Sequence, residues 1–320
     1  PTRRSERRML VSVVLPACDE AENIPEMTAR LSAVLRTKGD YELIFVDDGS
    51  RDASLPLLRS MSASDTRIRY VSFSRNFGHQ NALRAGLERA RGEVVAMMDA
   101  DLQHPPELLS EMLVRLEQGF DIIGTLRMDE KSPAGFKRAT SSLFYRLMNR
   151  LGDIRFEPGS ADFRLLSRKA VDLLLSMPER NLFWRGAVAW TGLPTAMIPY
   201  EAAPRSRGRT KYGFRKMLAF AMDGITSFSV RPLRITSALG AAISFLAFLY
   251  ALYALGMRIF TDRTVEGWTS LLISVLLVGG LQLLSIGILG EYLGKLFMES
   301  KGRPPYIVRE ESPPPEEGKA

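Results

Sequence analysis

Val94-Val95-Ala96-Met97-Met98-Asp99-Ala100-Asp101-Leu102-Gln103-His104-Pro105-Pro106-Glu107 is the stretch that decides the fold and the chemistry of this chain. A short apolar run bounded by polar residues predicts a buried strand. It stops at two acids spaced i, i+2, then an amide, then two prolines suited to a helix's first turn. Side chains two apart on an extended segment point the same way, so Asp99 and Asp101 can converge on one cation. Hard oxygen ligands at a strand's carboxyl end suit Mg²⁺ or Mn²⁺, above all when diphosphate oxygens complete the shell. Two solvated turn carboxylates would leave the same trace, so the rest of the chain has to choose.

Working outward from that strand, short apolar runs alternate with helical stretches. Leu10–Leu15, Glu42–Val46, Ile68–Phe73, Val94–Met98 and Ile122–Leu126 predict strands; Glu20–Arg36, Asp52–Ser62, Gln80–Arg91 and Pro106–Gln118 predict helices between them. This alternation implies an α/β domain, Rossmann-like, with a mostly parallel sheet. Ligands of such sheets bind beyond the carboxyl ends of the strands. The polar clusters fall there: Pro16-Ala17-Cys18-Asp19-Glu20, Asp47-Asp48-Gly49-Ser50, Ser74-Arg75-Asn76-Phe77-Gly78 and Asp99 to Gln103. No GxGxxG or Walker loop follows the first strand, so a nucleotide here has to be held by acids and a metal. Asp19, Asp47 and Ser50 could equally cap the helices they precede. Capping does not explain why four loops on one edge are all polar, two of them with paired acids. A pair such as Asp47-Asp48 suits ribose hydroxyls and a base edge, which are neutral donors.

The whole chain has 320 residues and a formal charge of +7, with one cysteine and two histidines. A single Cys18 excludes an internal disulfide, and with His79 and His104 it cannot make a zinc site of the usual ligand type without help from carboxylates. The arginines gather near the amino terminus, around 205–216 and beside apolar segments. That distribution suits phosphates or an anionic membrane surface and argues against nucleic acid.

Beyond Arg127, Phe136–Leu151 predicts a basic helix. Pro158 to Leu166 reads as a turn and a short strand that puts Asp162 and Arg164 on one side. Helices follow at Lys169–Ser176 and around Leu182–Trp190, then a strand near Thr195–Pro199. Arg205-Ser206-Arg207-Gly208-Arg209-Thr210-Lys211-Tyr212 is either a solvated linker or a loop able to close over phosphates. Gly213–Val230 has apolar residues at helical spacing and suits the membrane interface. Ile235–Met257 and Thr269–Gly290 carry no charge and are each about the ~20 residues a bilayer-spanning helix needs. They read as a hairpin, and flanking Arg215, Lys216, Arg231, Arg234, Lys295, Lys301 and Arg303 place the large domain and both termini in the cytoplasm. The expected organisation is a catalytic domain over 1–212 and an amphipathic helix over 213–232. Two membrane helices follow within 233–297, about 235–257 and 269–293. The tail over 298–320, rich in Pro and Glu from Gly302, is expected to be largely disordered.

Taken in order, Val46-Asp47-Asp48-Gly49-Ser50, Ser74 to His79, Asp99-Ala100-Asp101-Leu102-Gln103, Asp162-Phe163-Arg164-Leu165, Gly208-x-Thr210-Lys211-Tyr212 and the hairpin resemble the polyprenyl-phosphate glycosyltransferases of glycosyltransferase family 2. The similarity runs from Val13 to Pro305. It is strongest to the bactoprenol glucosyltransferases and weaker to dolichol-phosphate mannose synthase. This resemblance implies a GT-A domain, an inverting single displacement and a bacterial inner-membrane enzyme, often a tetramer. It implies that Pro16, Asp19, Glu20, Asp48, Arg75 and Asp99 hold the nucleotide sugar, a UDP-hexose and first of all UDP-glucose. Asp99, Asp101 and Gln103 would hold Mg²⁺ or Mn²⁺. Asp162, Arg164 and Asp101 would stand at the reacting centre, and Arg205, Arg209 and Lys211 would reach phosphates of donor or polyprenyl phosphate. The chain departs from the usual pattern at Cys18-Asp19, Ala161 and Arg209. A non-catalytic sugar-nucleotide-binding regulator would have no need of intact Asp99, Asp101, Gln103 and Asp162. A processive synthase would carry Gln-x-x-Arg-Trp, which Phe183-Trp184-Arg185 is not.

The acceptor implied is a phosphate monoester with a second pKa of about 6. Being largely dianionic at neutral pH, it needs no strong base. Asp162 therefore reads either as a residue that orients the acceptor through Arg164 or a second cation, or as a proton acceptor below neutrality.

Overall fold

The computed structural model describes residues 9–128, 159–180, 182–201, 229–260 and 267–313. The expected helix over Phe136–Leu151, the basic segment 205–212 with Arg205, Arg209 and Lys211, and the interfacial helix before Ser229 lie outside them.

Strands buried on both faces read as continuous apolar runs and pair in parallel. Four do so here: β1 (Leu10–Ala17), β2 (Asp40–Asp47), β3 (Ile68–Phe73) and β4 (Val94–Met97), linked by α1 (Ile24–Leu35), α2 (Ser54–Ser64) and α3 (His79–Arg89). Val13 at the centre sits beside Leu43 on one flank and Ala96 on the other. After α4 (Leu109–Glu117) come β5 (Ile122–Arg127), β6 (Ser160–Ser167), α5 (Arg168–Leu175), α6 (Trp184–Trp190) and β7 (Thr195–Tyr200). β6 runs antiparallel between β4 and β5, and β7 lies parallel to β5. A last strand, β8 (Val308–Glu311), completes the sheet in the order β7-β5-β6-β4-β1-β2-β3-β8.

Alternate strand residues face opposite helical layers. Val13, Leu15, Leu43, Phe45, Phe163 and Leu165 pack with Ile24, Met27 and Leu31 of α1 and Leu109 and Met112 of α4. On the other face α3 lies so close to β1 that a Cβ at Gly86 would overlap the Val14 side chain. Each fully buried side chain of this size contributes about 1.5–3 kcal/mol, enough to fix the register that aligns the strand ends.

Several polar groups are buried here, Ser12, Asp47 and Thr125 among them, and Glu42 is the one that gathers arginines. Glu42 of β2 is 1% exposed. Its carboxylate accepts from Ser12 Oγ at 2.6 Å, the Arg91 N–H at 2.8 Å, and the Arg69 and Arg91 guanidinium groups, both at 2.9 Å. Burial alone would raise its pKa, but these donors outweigh that and hold the carboxyl below its ordinary value.

The two apolar segments form α7 (Arg231–Phe260) and α8 (Trp268–Ser300), longer than the sequence pattern predicts. Arg231–Met257 and Ser270–Ser300 are long and apolar enough to cross a membrane, and neither is covered by the rest of the structure. Their consecutive apolar side chains, such as Phe245, Leu246, Phe248 and Leu249, are exposed, which suits a hydrocarbon solvent. Tyr292 Oη of α8 donates to the Ser229 carbonyl ahead of α7 at 2.6 Å. These helices form a compact unit of their own, separate from the sheet domain.

The expectation that the chain is disordered beyond Gly302 needs correction over its first part. Val308–Glu311 pairs antiparallel with β3, and the glutamates that suggested disorder meet arginines, Glu310 with Arg59 at 2.6 Å and Glu311 with Arg89 at 2.7 Å. Composition reads such a stretch as solvated; a free sheet edge with matching charges orders it.

Removing the Glu42 carboxylate leaves Arg69, 13% exposed, without its buried carboxylate partner, while Arg91, 47% exposed, can turn to water. Glu42→Ala is expected to cost about 3–5 kcal/mol, read by urea unfolding of the detergent-solubilised chain. Because the folded carboxyl is held down, its contribution is present above the unfolded value of 4.5. The gap between wild type and variant therefore closes as pH falls through the folded pKa.

Candidate active site

The parallel strands end on one edge, and the loops leaving them are built from side chains that bind backbone. Asp47 accepts from Ser72 Oγ at 2.6 Å and from the Ser50 N–H at 3.0 Å. Gly49 turns the chain at φ +69°, and any Cβ there would lie 2.5 Å from the Arg75 carbonyl carbon. Asp48, 4% exposed, takes the N–H groups of Phe77 at 2.6 Å and Gly78 at 3.0 Å. Burial pushes its carboxyl up against the pull of those two donors. Asp19, itself at φ +59°, takes the N–H groups of Arg51 at 2.7 Å and Asp52 at 3.3 Å. Glu20 accepts from Asn23 Nδ2 at 2.5 Å, and Pro16 lies within β1 beside Val46.

Of the residues expected at the nucleotide, Asp19, Glu20 and Asp48 thus spend carboxylate oxygens on shaping loops. Asp19 does not cap the helix it precedes: α1 has no side-chain cap, and the Asp19 carboxylate ties the first loop to the second. Arg75 is different: it is exposed, with its guanidinium 4.2 Å from the centre of the Phe77 ring.

β4 ends at Met97, and the acids follow in a tight turn. Leu102 adopts φ +61°, a strained conformation for a branched side chain. The Gln103 N–H donates to Asp101 Oδ1 at 3.1 Å. The Asp99 N–H donates to Nδ1 of buried His104 at 3.3 Å, whose ring stacks on Phe163 at 5.4 Å. Glu107 fixes the far end of the turn through a bidentate pair with Arg30. Gln103 Oε1 accepts from Arg127 at 3.3 Å, while its buried Nε2 has no partner.

β6 brings Asp162 to the same place. Arg185, at the start of α6, donates Nε to Asp162 Oδ1 at 2.7 Å and Nη2 to Oδ2 at 2.9 Å. His79, the first residue of α3, stands between the acids, Nε2 lying 3.5 Å from Asp99 and 3.7 Å from Asp162. Burial would raise the Asp162 pKa, yet the Arg185 charge and hydrogen bonds bring it down to about 2. Asp99 is pushed up, first by burial and also by Asp162 and Asp101, with His79 and His104 opposing.

Arg164 corrects one expectation. It is buried and donates to the Ala161 carbonyl at 3.3 Å and Ser160 Oγ at 3.2 Å, and burial lowers its pKa to about 10. The cation bound to Asp162 is Arg185, which the pattern of the chain did not single out. Arg185 follows Trp184, a 2% exposed anchor whose N–H and Nε1–H donate to the side-chain and main-chain oxygens of Gln80, contacts that packing alone supplies. An arginine beside an anchored tryptophan is held where a flexible one would not be. In the sequence His79 is weighed as a zinc ligand and quoted within a longer motif, but not placed beside the acids.

Among the described residues no three His, Cys, Asp or Glu converge as a metal cage. What the edge offers is two hard oxygen donors, Asp99 and Asp101, with the Asp99 side chain about one-third exposed. That donor set fits a divalent cation arriving with a diphosphate.

Residues 12–175 match the Glycosyl transferase family 2 domain. The chain belongs to this family. Its sheet, with β6 turned back beside the strand that carries the acids, is the GT-A arrangement. Relatives span nearly all of it. An uncharacterised glycosyltransferase, YkcC of Bacillus subtilis, is 42% identical over 95% of this chain and 94% of its own. The bactoprenol glucosyl transferase of Shigella phage SfV is 37% identical over 95% and 99%. Among solved structures, a Pyrobaculum calidifontis mannosyltransferase in complex with GDP-mannose and Mn²⁺ is 15% identical, covering 93% of this chain and 87% of that one at a TM-score of 0.49.

The bidentate pair gives this family 2 enzyme a sharp test. Arg185→Lys keeps the charge but cannot grip both carboxylate oxygens in one plane. It is expected to lower glycosyl transfer by about 30–100-fold, measured as the initial rate in membranes matched for protein content.

Proposed function

We propose that this glycosyltransferase moves a hexose, with inversion, from a nucleotide sugar to a polyprenyl phosphate at the cytoplasmic face of a bacterial inner membrane. UDP-glucose is the donor we favour. The observation that carries this reading is the Asp162–Arg185 pair beside Asp99. It is a cation held in place by a carboxylate that is already ionised, on a chain with two candidate membrane spans. The Shigella phage relative's name supports the lipid acceptor and the glucose.

Asp99 and Asp101 would hold Mg²⁺ or Mn²⁺, with Gln103 joining if Arg127 releases its amide oxygen. When bound, that ion supplies charge stabilisation for the departing nucleoside diphosphate. The chain's own residues do the rest. Arg75, exposed and lying over the Phe77 ring, would offer charge to the nucleotide. Asp162, with a pKa of about 2, is ionised throughout the physiological range and hydrogen-bonded through both oxygens. Its task is to fix Arg185, the second cation foreseen in the orienting alternative. Arg185 then presents donors to the acceptor phosphate and offsets the repulsion between two anionic substrates. Arg205, Arg209 and Lys211 would add charge to that task. The acceptor dianion attacks the anomeric carbon directly, the bond to the diphosphate breaks, and no proton has to leave the nucleophile.

Membranes supplied with undecaprenyl phosphate and a panel of radiolabelled sugar nucleotides, with and without Mn²⁺, test the proposal. A labelled lipid product from UDP-glucose is expected; no lipid product from any donor overturns it. Asp101→Ala should lower the rate by about 10²–10³-fold, and undiminished transfer would remove the metal assignment. Asp162→Asn should keep partial activity, since an amide still accepts one hydrogen bond from Arg185. Its pH profile should keep the wild-type acid limb near the acceptor phosphate pKa of about 6. An acid limb that disappears in the variant would make Asp162 a base.

A further inference from the structure

The tail after α8 reaches the loop that faces the cleft. Tyr306 stacks on Phe73, the last residue of β3, with ring centroids 4.8 Å apart and planes 18° from parallel. Its hydroxyl donates to Glu88 and accepts from Arg89 Nη1 at 3.1 Å. The next residue takes the loop's first hydrogen bond: the Ser74 N–H donates to the Ile307 carbonyl at 3.0 Å. Phe73 in turn meets Phe77 edge-on at 5.8 Å. Phe77 supplies the N–H that binds Asp48 and the ring beneath Arg75. Two residues later His79 lies against Asp99 and Asp162. A continuous series of contacts therefore runs from Tyr306 through Phe73 and Phe77 to the cleft.

The rest of the tail has anchors of its own, although Arg89 serves both Tyr306 and Glu311. Ser312 exchanges two hydrogen bonds with Tyr70, its Oγ accepting the Tyr70 N–H at 3.1 Å and its N–H donating at 2.9 Å. Glu310 and Glu311 hold Arg59 and Arg89. With β8 fastened on that side, loss of the Tyr306 ring loosens the loop without releasing the strand.

We propose that Tyr306 is a positioning residue for the donor site: its ring sets the conformation of Ser74–Gly78 and so the affinity for the nucleotide sugar. The assignment rests on the family 2 reading of that cleft for its kinetic consequence, and on geometry alone for its structural one. Tyr306 touches no substrate. It acts through Phe73, Phe77 and the N–H groups that clasp Asp48.

The test uses the full chain in detergent and has two arms. In the first, hydrogen exchange needs no substrate. Tyr306→Ala should speed exchange at the Phe77 and Gly78 amides by about tenfold or more while amides of β1 and β4 keep their protection. Unchanged exchange in the loop, or faster exchange throughout the domain, overturns the proposal. In the second, transfer is measured with UDP-glucose and undecaprenyl phosphate. Tyr306→Ala should raise the KM for UDP-glucose about five- to tenfold with kcat and the lipid KM within about twofold. Tyr306→Phe, which keeps the ring, should restore the wild-type KM; a loss confined to kcat, or a Phe variant as impaired as Ala, overturns it. Should Tyr306→Ala not fold, Tyr306→Leu removes the stacking at nearly constant bulk and carries both arms. A wild type inactive with every donor defeats the proposed function and leaves the exchange arm standing.

Discussion

Asp99, Asp101 and Asp162 share one edge of the sheet, and like charges in a partly desolvated cleft have to be balanced. The arrangement of the site follows from how each is balanced. Asp162 is neutralised permanently, by a guanidinium that matches both its oxygens. Among the described residues Asp99 is opposed by two imidazoles, His79 and His104, and burial together with its acidic neighbours makes ionisation costly. One carboxylate is thus paired with a guanidinium and the other is faced by imidazoles, an asymmetry between two groups that lie against the same His79 ring.

Holding that asymmetry in place requires stiff loops. Asp47, Asp48 and Asp19 supply the stiffness by taking backbone N–H groups as a helix cap would, and Gly49 allows the second and third loops to touch. The motif Asp47-Asp48-Gly49-Ser50 therefore works largely as a clasp between neighbouring loops. A nucleotide would meet a preformed surface whose shape is set by these internal bonds, with Arg75 left exposed to contribute charge.

Much of this was legible in the chain itself. The alternation of apolar runs and amphipathic helices gave the parallel strands because burial on both faces leaves a continuous apolar signature. The acids at strand ends followed from register. Two things were not legible. Arg185 pairs with Asp162 across 23 positions, and such pairing depends on how β6 and α6 pack, which no local periodicity records. The tail was misread because Pro and Glu signal solvation, whereas its order comes from partners contributed by β3, α2 and α3. Arg164 shows the reverse error: spacing correctly put it on the side of Asp162, but the space around it closed and turned its donors back on its own strand.

The outer strand of the sheet is also the last to be synthesised. Residues 308–311 leave the ribosome only after both apolar helices have been made, so every nascent chain passes through a stage in which the β3 edge is bare. An unpaired edge is a template for pairing with other chains. Translation that stops short of Val308 would therefore leave the β3 edge bare, whereas β8 replaces it with a four-residue edge of sequence Val-Arg-Glu-Glu whose charges discourage further pairing.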